Sequence, residues 1–469
     1  MDISHDFLDQ LQGIVGQSHL SVHKEDRLCY AYDGTAAVYL PDVVVFPATT
    51  AEVAGIMQAA ADYRIPVIPR GGGSGMTGGA LPVKGGMVVV FNRMNRILSV
   101  DQENLIARIQ PGVITAVFQD HVKKLGLFYP PDPSSAAFST MGGNLAECAG
   151  GPKAVKYGVT RDYVRGLEVV LPTGEIVRTG VETAKGVVGY DLTRLIVGSE
   201  GTLAMITEAT VRLLPLPESV MTLTAAFESM DRAARAVAQF VRHPHVPRTI
   251  EFMDHTAIGL AEDYLHLGLP VDAGALLLME VDGNKSDIKA IARNLEAESR
   301  RMGARVVSIA DDEAQAAQLW QARKALSPAL FKLAPHKINE DIVVPRNRIP
   351  DLVTKIDELR QQTGLIMVAF GHAGDGNIHF NIMLDKSDPT AVKKAHAAVD
   401  ALFDYTLQLG GTISGEHGVG ITKAPYLKKE LSSDSIQLMR RIKTAFDPLG
   451  LLNPGKIFPE WVPPSQMPA

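Results

Sequence analysis

The chain has few cysteines, no long apolar run and no signal-like start, and each absence excludes a class of protein. Only Cys29 and Cys148 occur among 469 residues, too few for a disulfide scaffold, an all-cysteine zinc site or a cysteine-ligated iron–sulfur cluster. No apolar run reaches the roughly 18 residues that span a bilayer, and the first residues lack the basic and apolar parts of a signal peptide. We therefore expect a cytoplasmic protein that reaches a membrane only by docking on a partner there.

Charge and length further limit the class of protein and the number of domains. The formal net charge is -6 and lysine and arginine form no run, so nucleic acid is not an expected partner. Apolar residues make up 46% of the chain and charged residues 21%, which is typical of a globular protein. Because 469 residues are too many for one hydrophobic core, we expect two or three domains.

Two glycine-rich segments near the C-terminus, residues 371–379 and 414–418, carry the strongest chemical signal. They hold three histidines and a glutamate, and two histidines with one glutamate form a set that binds a divalent metal and leaves a coordination position open for substrate. The candidate ligands are His372, His379 and Glu416. His417 is then available to move a proton. The alternative is a tight turn at residues 374–377 with incidental polar neighbours, but it does not explain the adjacent Glu-His of the second segment.

The first half of the chain begins with alternating strands and helices. Residues 42–46 predict a short buried strand, and Thr49–Glu52 has the spacing of a capping box before a helix. A second strand, at residues 66–69, runs into the glycine-rich loop 70–79.

Three glycines of this loop match the pattern of nicotinamide-binding proteins: Gly73, Gly75 and Gly78. That pattern must open a helix whose N-terminus faces the pyrophosphate, whereas here the loop leads into a strand at residues 87–91. The successive backbone N–H groups still form a cradle for an anion. A flexible loop is the alternative interpretation.

A second stretch of small residues lies at positions 129–151. It favours the interpretation of the first loop as an anion cradle. It contains too many glycines and prolines for a packed core. One large flat cofactor with a diphosphate would explain two such loops in one domain.

These motifs together resemble a known family. The loop 70–79, the stretches 131–133 and 142–144, the segment 198–202 and the segment 453–456 are similar to those of flavoproteins of the vanillyl-alcohol oxidase and p-cresol methylhydroxylase superfamily. Within it, the chain resembles the branch of D-lactate dehydrogenases, D-2-hydroxyglutarate dehydrogenase and the flavoprotein subunit of bacterial glycolate oxidase. The similarity runs from about residue 28 to residue 458.

The resemblance implies an α+β fold. It comprises a two-lobed FAD-binding domain of the p-cresol methylhydroxylase type, a ferredoxin-like antiparallel cap domain and a C-terminal helical segment. The implied divisions are residues 1–38 (N-terminal helical segment), 39–217 (FAD-binding domain), 218–415 (cap and substrate domain), 416–458 (segment completing the active site) and 459–469 (tail).

The resemblance also implies FAD as cofactor. The residues expected to bind it are Arg70, Gly71, Gly72, Gly73, Ser74, Gly75, Thr77, Gly78, Pro131, Asp132, Gly142, Gly143, Asn144, Gly150, Glu200, Gly201 and Asn453. Relatives that bind flavin covalently often carry histidine in the first loop, where this chain has Ser74. We therefore expect noncovalent FAD.

The cap domain can be interpreted from its residues alone. Alternating and helical periodicities predict the order βαββαβ of a ferredoxin-like sheet. The elements fall at residues 220–227, 233–241, 249–252, 276–281, 288–298 and 305–309. One sheet face would then be free to cover the flavin. Pro463–Ala469 is expected to be disordered.

Oxidation of a 2-hydroxy acid removes a hydride from carbon and a proton from the hydroxyl group. A hydroxyl pKa near 15.7 lies about 9 units above neutrality, roughly 12 kcal/mol, which a histidine alone cannot supply. A divalent metal lowers such a pKa to about 7, so the metal and His417 as base suffice together. The resemblance assigns the same roles. We expect zinc, with manganese or iron as alternatives.

A carboxylate substrate also needs a cation. Arg323 offers a planar fork and Lys337 a point charge, although each alone is typical of an exposed surface charge. The resemblance implies that both contact substrate, together with Asn377.

The sequence therefore predicts an FAD-dependent, metal-assisted dehydrogenase of D-lactate or glycolate. The alternatives are a D-2-hydroxyglutarate dehydrogenase, which needs a second cation, a metal-dependent hydrolase, and a noncatalytic flavin subunit that relays electrons. The expected electron acceptor is a partner protein, either an iron–sulfur subunit or an electron-transferring flavoprotein.

Overall fold

The structure, a computed structural model, describes residues 3–35 and 37–458. The predicted tail, including Pro463–Ala469, lies outside the described residues. Within them the chain divides into two compact units. Unit one comprises the chain up to residue 149, residues 159–216 and the chain from residue 416 onward, and unit two comprises residues 150–158 and 217–415.

The described chain contains sixteen α-helices and eighteen β-strands. The helices are α1 His5–Val15, α2 Lys24–Leu28, α3 Thr50–Tyr63, α4 Thr115–Lys123, α5 Met141–Glu147, α6 Ala154–Tyr157, α7 Thr160–Tyr163, α8 Leu192–Ile196, α9 Met230–Phe240, α10 His255–Leu265, α11 Ile288–Arg301, α12 Glu313–Ala329, α13 Ile349–Thr363, α14 Pro389–Gln408, α15 Leu427–Glu430 and α16 Ser433–Phe446. The strands are β1 Leu20–Ser21, β2 Val43–Val45, β3 Val67–Arg70, β4 Met87–Val90, β5 Ile97–Asp101, β6 Ile106–Ile109, β7 Leu127–Phe128, β8 Val164–Val170, β9 Ile176–Gly180, β10 Met205–Arg212, β11 Leu214–Pro215, β12 Ser219–Phe227, β13 Thr249–Asp254, β14 Ala275–Gly283, β15 Val306–Ile309, β16 His336–Val343, β17 Ile366–His372 and β18 Asn377–Leu384.

Helix α3 forms where its sequence predicts. The Thr49 hydroxyl accepts a hydrogen bond from the backbone N–H of Glu52 at 3.1 Å, and the Glu52 carboxylate accepts one from the N–H of Ala48 at 2.8 Å. The apolar side chains at helical spacing are fully buried in the same core as β2, β3 and β4: Val53, Ile56, Met57 and Ala60. The capping interactions therefore fix the start of the helix, and burial of one face holds it on the strands.

Unit one contains two larger sheets. The first has the strand order β1-β2-β4-β3, with β2 and β3 both parallel to β4. The second has the order β5-β6-β10-β8-β9 and is antiparallel. Between β3 and β4 the chain forms the glycine-rich loop without a helix, so the prediction that this loop is not a nicotinamide-binding fingerprint agrees with the structure.

Unit two is built on one antiparallel sheet with the order β15-β12-β14-β13-β17-β18-β16. Its first four strands have the order and directions of a ferredoxin-like sheet, which confirms that prediction. The structure adds helix α10 between β13 and β14 and extends the sheet by three strands beyond β13. Asp254 caps α10 by accepting a hydrogen bond from the N–H of Ala257 at 2.8 Å. This N-cap was present in the sequence but not used in its interpretation.

The strand register brings several polar side chains to one face of this sheet. In an antiparallel sheet, directly opposite residues share a face, as do residues two apart along a strand. Glu251 lies opposite His372, and His372 lies opposite Asn377. His379 is two residues beyond Asn377, so the four residues share one face. Among the described residues, no helix is both long and apolar enough to cross a membrane.

Candidate active site

The hairpin of β17 and β18 brings two of the predicted metal ligands together. Its turn contains Gly376, whose φ is +92°, and a Cβ there would lie 2.1 Å from the carbonyl oxygen of Val344, so glycine is required. His372 and His379 are both buried, their rings are inclined by 85°, and their Nε2 atoms lie 3.4 Å apart. The hairpin geometry alone therefore converges two imidazole nitrogens.

Glu251 of β13 orients the first of these histidines. Its Oε1 lies 2.6 Å from Nδ1 of His372. The side chain is 0% exposed, so its negative charge needs a partner, and Nη2 of Arg323 lies 2.8 Å from its Oε2. Sequence reasoning missed Glu251. The available signal was an acidic residue in the middle of a strand that is buried at every position.

Arg323 of α12 is not a surface charge. Its side chain is 11% exposed, and its Cζ lies 4.8 Å from the centroid of the Phe370 ring, a cation–π distance. Its Nε is buried without a hydrogen-bond acceptor in the described chain. The guanidinium thus neutralises Glu251 and retains a donor for a further acceptor.

Asn377 occupies the start of β18, opposite His372. Its Nδ2 lies 3.4 Å from the carbonyl oxygen of Ile342, while its buried Oδ1 has no hydrogen-bond partner among the described residues. The nearby chain is held by Asp341, whose Oδ2 accepts a hydrogen bond from the N–H of Gly415 at 2.9 Å. Gly415 is the last residue of unit two and is joined by its peptide bond to Glu416, the first residue of the C-terminal part of unit one.

Lys337 lies on β16, in the same unit as Arg323. Its Nζ donates to Oγ of Ser327 at 2.9 Å and lies 5.6 Å from the centroid of the Phe331 ring. Burial lowers the pKa of its ammonium group. The side chain therefore carries a partly desolvated positive charge, which favours binding of an anion.

In unit one, the first glycine-rich loop packs closely against the second. A Cβ on Gly71 would lie 2.3 Å from Oγ1 of Thr140, and one on Gly72 would lie 2.4 Å from the carbonyl oxygen of Phe138. Arg70 is 5% exposed and its Nη1 has no partner in the described part of the chain. Burial lowers the pKa of this guanidinium. A buried arginine with an unused donor beside glycine backbone fits a diphosphate.

The second loop is held mainly by its own unit. Nδ2 of Asn144 donates to Oγ1 of Thr115 at 2.7 Å, and Nε2 of Gln119 donates to the carbonyl oxygen of Pro131 at 2.7 Å. A Cβ on Gly142 would lie 2.6 Å from Cβ of Pro111. Gly150, also expected to bind FAD, falls in unit two.

Glu200 and Asn453, both expected to bind FAD, also hold the C-terminal segment in place. The Glu200 carboxylate accepts hydrogen bonds from the N–H groups of Val419 and Gly420, each at 2.7 Å. Nδ2 of Asn453 donates to the carbonyl oxygens of Gly79 and Glu200 at 2.9 and 2.8 Å. Unit one therefore brings residues next to His417 against the first glycine-rich loop.

Thr77 adds to this arrangement, since its hydroxyl donates to the carbonyl oxygen of His417 at 3.0 Å. Nζ of Lys456 donates to the carbonyl oxygen of Leu81 at 2.5 Å and to Oδ1 of Asn453 at 3.1 Å. Burial lowers the Lys456 pKa to about 8, although nearby carboxylates raise it. Burial in turn raises the pKa of the Glu147 carboxyl well above its usual range. Sequence reasoning assigned no role to Lys456 or Glu147, because nothing local marks their burial.

Known protein families and relatives match nearly the whole chain. Residues 41–180 match the FAD binding domain family, and residues 216–457 match the family of FAD linked oxidases, C-terminal domain. The chain is 44% identical over 457 residues to glycolate oxidase subunit GlcD of Bacillus subtilis, covering 97% of each. It is 38% identical over 425 residues to D-lactate dehydrogenase of Anaerostipes hadrus, covering 89% of each.

Solved structures support the fold. The structure of p-cresol methylhydroxylase with substrate bound superposes with a TM-score of 0.81 at 16% identity, covering 97% of each chain. That of 4-ethylphenol oxidase from Gulosibacter chungangensis gives 0.77 at 20% identity, covering 98% of each. The resemblance and fold class inferred from sequence are confirmed. The chain belongs to the family of FAD-linked oxidases, and it is an FAD-binding oxidoreductase of the glycolate oxidase and D-lactate dehydrogenase type.

Proposed function

We propose that the chain oxidises a small D-2-hydroxy acid, D-lactate or glycolate, to the 2-oxo acid. The relatives named glycolate oxidase subunit and D-lactate dehydrogenase support this substrate class. The observation that carries the proposal is the convergence of two buried imidazoles, 3.4 Å apart between Nε2 atoms, on one sheet face. Family membership favours this reaction over the metal-dependent hydrolase that the same side chains would also suit.

The metal would be held by His372, His379 and Glu416. The 3.4 Å between their Nε2 atoms would allow both imidazoles to bind one ion. Glu416 completes a common ligand set for a site with an open position. Zinc suits this donor set, and manganese or iron is the alternative.

When bound, FAD would supply the acceptor for the hydride of the substrate carbon, and a divalent cation would supply the Lewis acid that lowers the pKa of the substrate hydroxyl group towards 7. His417 accepts the hydroxyl proton on a ring nitrogen. Thr77 fixes the backbone of His417 by donating to its carbonyl oxygen, so this residue is positioned by the same loop that is expected to hold the cofactor.

Arg323 and Lys337 bind the substrate carboxylate in this proposal, and Asn377 also contacts the substrate. Support for Arg323 comes from its buried Nε, which has no acceptor in the described chain, and support for Lys337 comes from its partial desolvation. Arginine presents planar donors that match a carboxylate.

The names of the relatives, a glycolate oxidase subunit and a D-lactate dehydrogenase, favour a monocarboxylate over D-2-hydroxyglutarate. A second carboxylate needs a further cation, and two other cations of unit two are already committed. Arg248 lies 2.8 Å from Glu280, and Lys156 contacts Asp282. Neither offers an uncompensated charge.

FAD is proposed to bind noncovalently because Ser74 stands where covalent relatives often carry histidine. Electrons would leave through a partner protein, an iron–sulfur subunit or an electron-transferring flavoprotein, in the cytoplasm or beside the membrane. The word "subunit" in the names of two relatives supports a multi-subunit enzyme.

The function is tested by mixing the purified yellow protein anaerobically with D- and L-lactate, glycolate and D-2-hydroxyglutarate while following flavin absorbance. We expect D-lactate or glycolate to bleach the flavin, and L-lactate to leave it oxidised. His379→Ala should slow bleaching at least about 100-fold and His417→Ala about 10²- to 10⁴-fold, with FAD retained. Bleaching by D-2-hydroxyglutarate alone would contradict the monocarboxylate assignment. Acid precipitation should release all FAD into the supernatant.

A further inference from the structure

Four side chains of unit two form a continuous chain of contacts that ends in the imidazole pair. Nη2 of Arg323 lies 2.8 Å from Oε2 of Glu251, and Oε1 of Glu251 lies 2.6 Å from Nδ1 of His372. Nε2 of His372 in turn lies 3.4 Å from Nε2 of His379. The contacts join residues on α12, β13, β17 and β18, so no local sequence pattern specifies them.

An ionised Glu251 constrains the histidine that it contacts. A carboxylate can only accept hydrogen bonds, so Nδ1 of His372 must carry its proton. A neutral imidazole protonated at Nδ1 has its lone pair on Nε2, the nitrogen that faces His379. The hydrogen bond therefore selects the tautomer that can act as a ligand at Nε2 and fixes the orientation of the ring.

Arg323 is the cation that faces this buried carboxylate. Glu251 is 0% exposed, and a buried carboxylate without a cation would be strongly disfavoured. The guanidinium is itself held over the Phe370 ring at 4.8 Å. Because one residue contacts both, the position of Arg323 and the tautomer of His372 are coupled through Glu251.

We propose that Glu251 is a positioning residue that presents Nε2 of His372 to a divalent metal and fixes the carboxylate-binding Arg323. This rests on the proposed function, since the metal and the substrate carboxylate are parts of it. Glu251 itself contacts neither. Its replacement should weaken metal binding without removing a ligand.

The test compares metal affinity in FAD-loaded protein that has been stripped with a chelator and titrated with Zn²⁺, or with Co²⁺ as a coloured probe. Glu251→Gln keeps the side-chain volume but loses the negative charge. It should lower the affinity for the metal ion by about 10- to 100-fold. Glu280→Gln is the matched control. Glu280 is equally a buried sheet glutamate, but it contacts Trp320 and Arg248 instead of a histidine, so its variant should keep wild-type metal affinity.

A second readout does not depend on metal. In ¹⁵N-histidine-labelled, metal-free protein, the His372 ring should be protonated at Nδ1, with a strongly downfield proton. Glu251→Gln should shift this resonance, and Glu280→Gln should not. His372→Ala assigns the signal, and circular dichroism with flavin content checks that each variant is folded.

The outcomes separate the two proposals. If wild-type protein binds neither ion, or if His372→Ala leaves its metal affinity unchanged, the metal part of the proposed function fails. If His372→Ala abolishes metal binding while Glu251→Gln binds as wild type and leaves the His372 resonance in place, the proposed function stands and the role of Glu251 is overturned.

Discussion

At the scale of single residues, several polar side chains of this protein are buried at a cost that other groups offset. Glu251 is offset by Arg323, and Asp254 by Arg360 together with the N–H groups of Ala257 and Ala369. Each of these acids contacts a residue more than 100 positions away in the sequence. Buried charges of this kind are tolerated only when the geometry of the partner is fixed.

Burial of Lys456 should make the free energy of unfolding depend on pH. Its pKa is about 8 when folded and roughly 10.4 when unfolded. Below pH 8 both states are charged, and the folded state bears the desolvation cost. Between about pH 8 and 10.4 the folded state loses the proton first, so the Lys456 contribution to the free energy of unfolding should rise with pH, by up to about 3 kcal/mol.

Urea unfolding of the wild type and of Lys456→Met, at intervals from pH 7 to 10, checks this. The wild-type value minus the variant value should increase over the range, because other titrating groups are shared by both. A difference that does not change with pH would show that burial does not depress this pKa.

At the scale of elements, one carboxylate of unit one accepts two backbone hydrogen bonds from the C-terminal segment. Glu200 accepts hydrogen bonds from the N–H groups of Val419 and Gly420, 219 and 220 residues away. These bonds hold the chain beside the first glycine-rich loop and next to His417. The segment therefore packs as part of unit one, although it follows unit two in the sequence.

Glu200→Gln should loosen this segment. The amide keeps one acceptor but turns a donor towards a second N–H, and hydrogen bonds to charged groups contribute roughly 1.5–3 kcal/mol each. Hydrogen exchange at Val419 and Gly420 should accelerate at least about tenfold. Glu208→Gln, which alters a half-exposed pair with Arg108, should leave both amides protected. Unchanged exchange in Glu200→Gln would mean that the segment is held by other contacts.

At the scale of the whole molecule, the proposed reaction requires an acceptor for the electrons of the reduced flavin. The two cysteines cannot ligate an iron–sulfur cluster, and the first glycine-rich loop leads into β4 without the helix of a nicotinamide site. On the proposed function, the reduced flavin therefore passes its electrons to a partner protein or to oxygen.

We expect fast anaerobic reduction by substrate, slow reoxidation in air, and steady turnover only with an artificial dye or the partner protein. Stopped-flow absorbance and a peroxide assay on the isolated chain measure these rates. Peroxide formation as fast as dye-linked turnover would identify a self-sufficient oxidase instead.

The sequence by itself determined the features that depend on neighbouring residues. The capping box of α3, the periodicities of the ferredoxin-like strands and the glycine loops were all visible in it, because helix caps, turns and face alternation act over a few positions. The two histidines of the hairpin were visible for the same reason, since they are seven positions apart and one tight turn connects them.

Only the tertiary structure decided which distant groups meet those features. It paired Glu251 with His372 across 121 positions, placed Arg323 behind them, and used Glu200 to hold a segment more than 200 residues later. It also extended the cap sheet to seven strands. These outcomes follow from strand register and loop closure between remote parts of the chain, which periodicity within a short window does not encode.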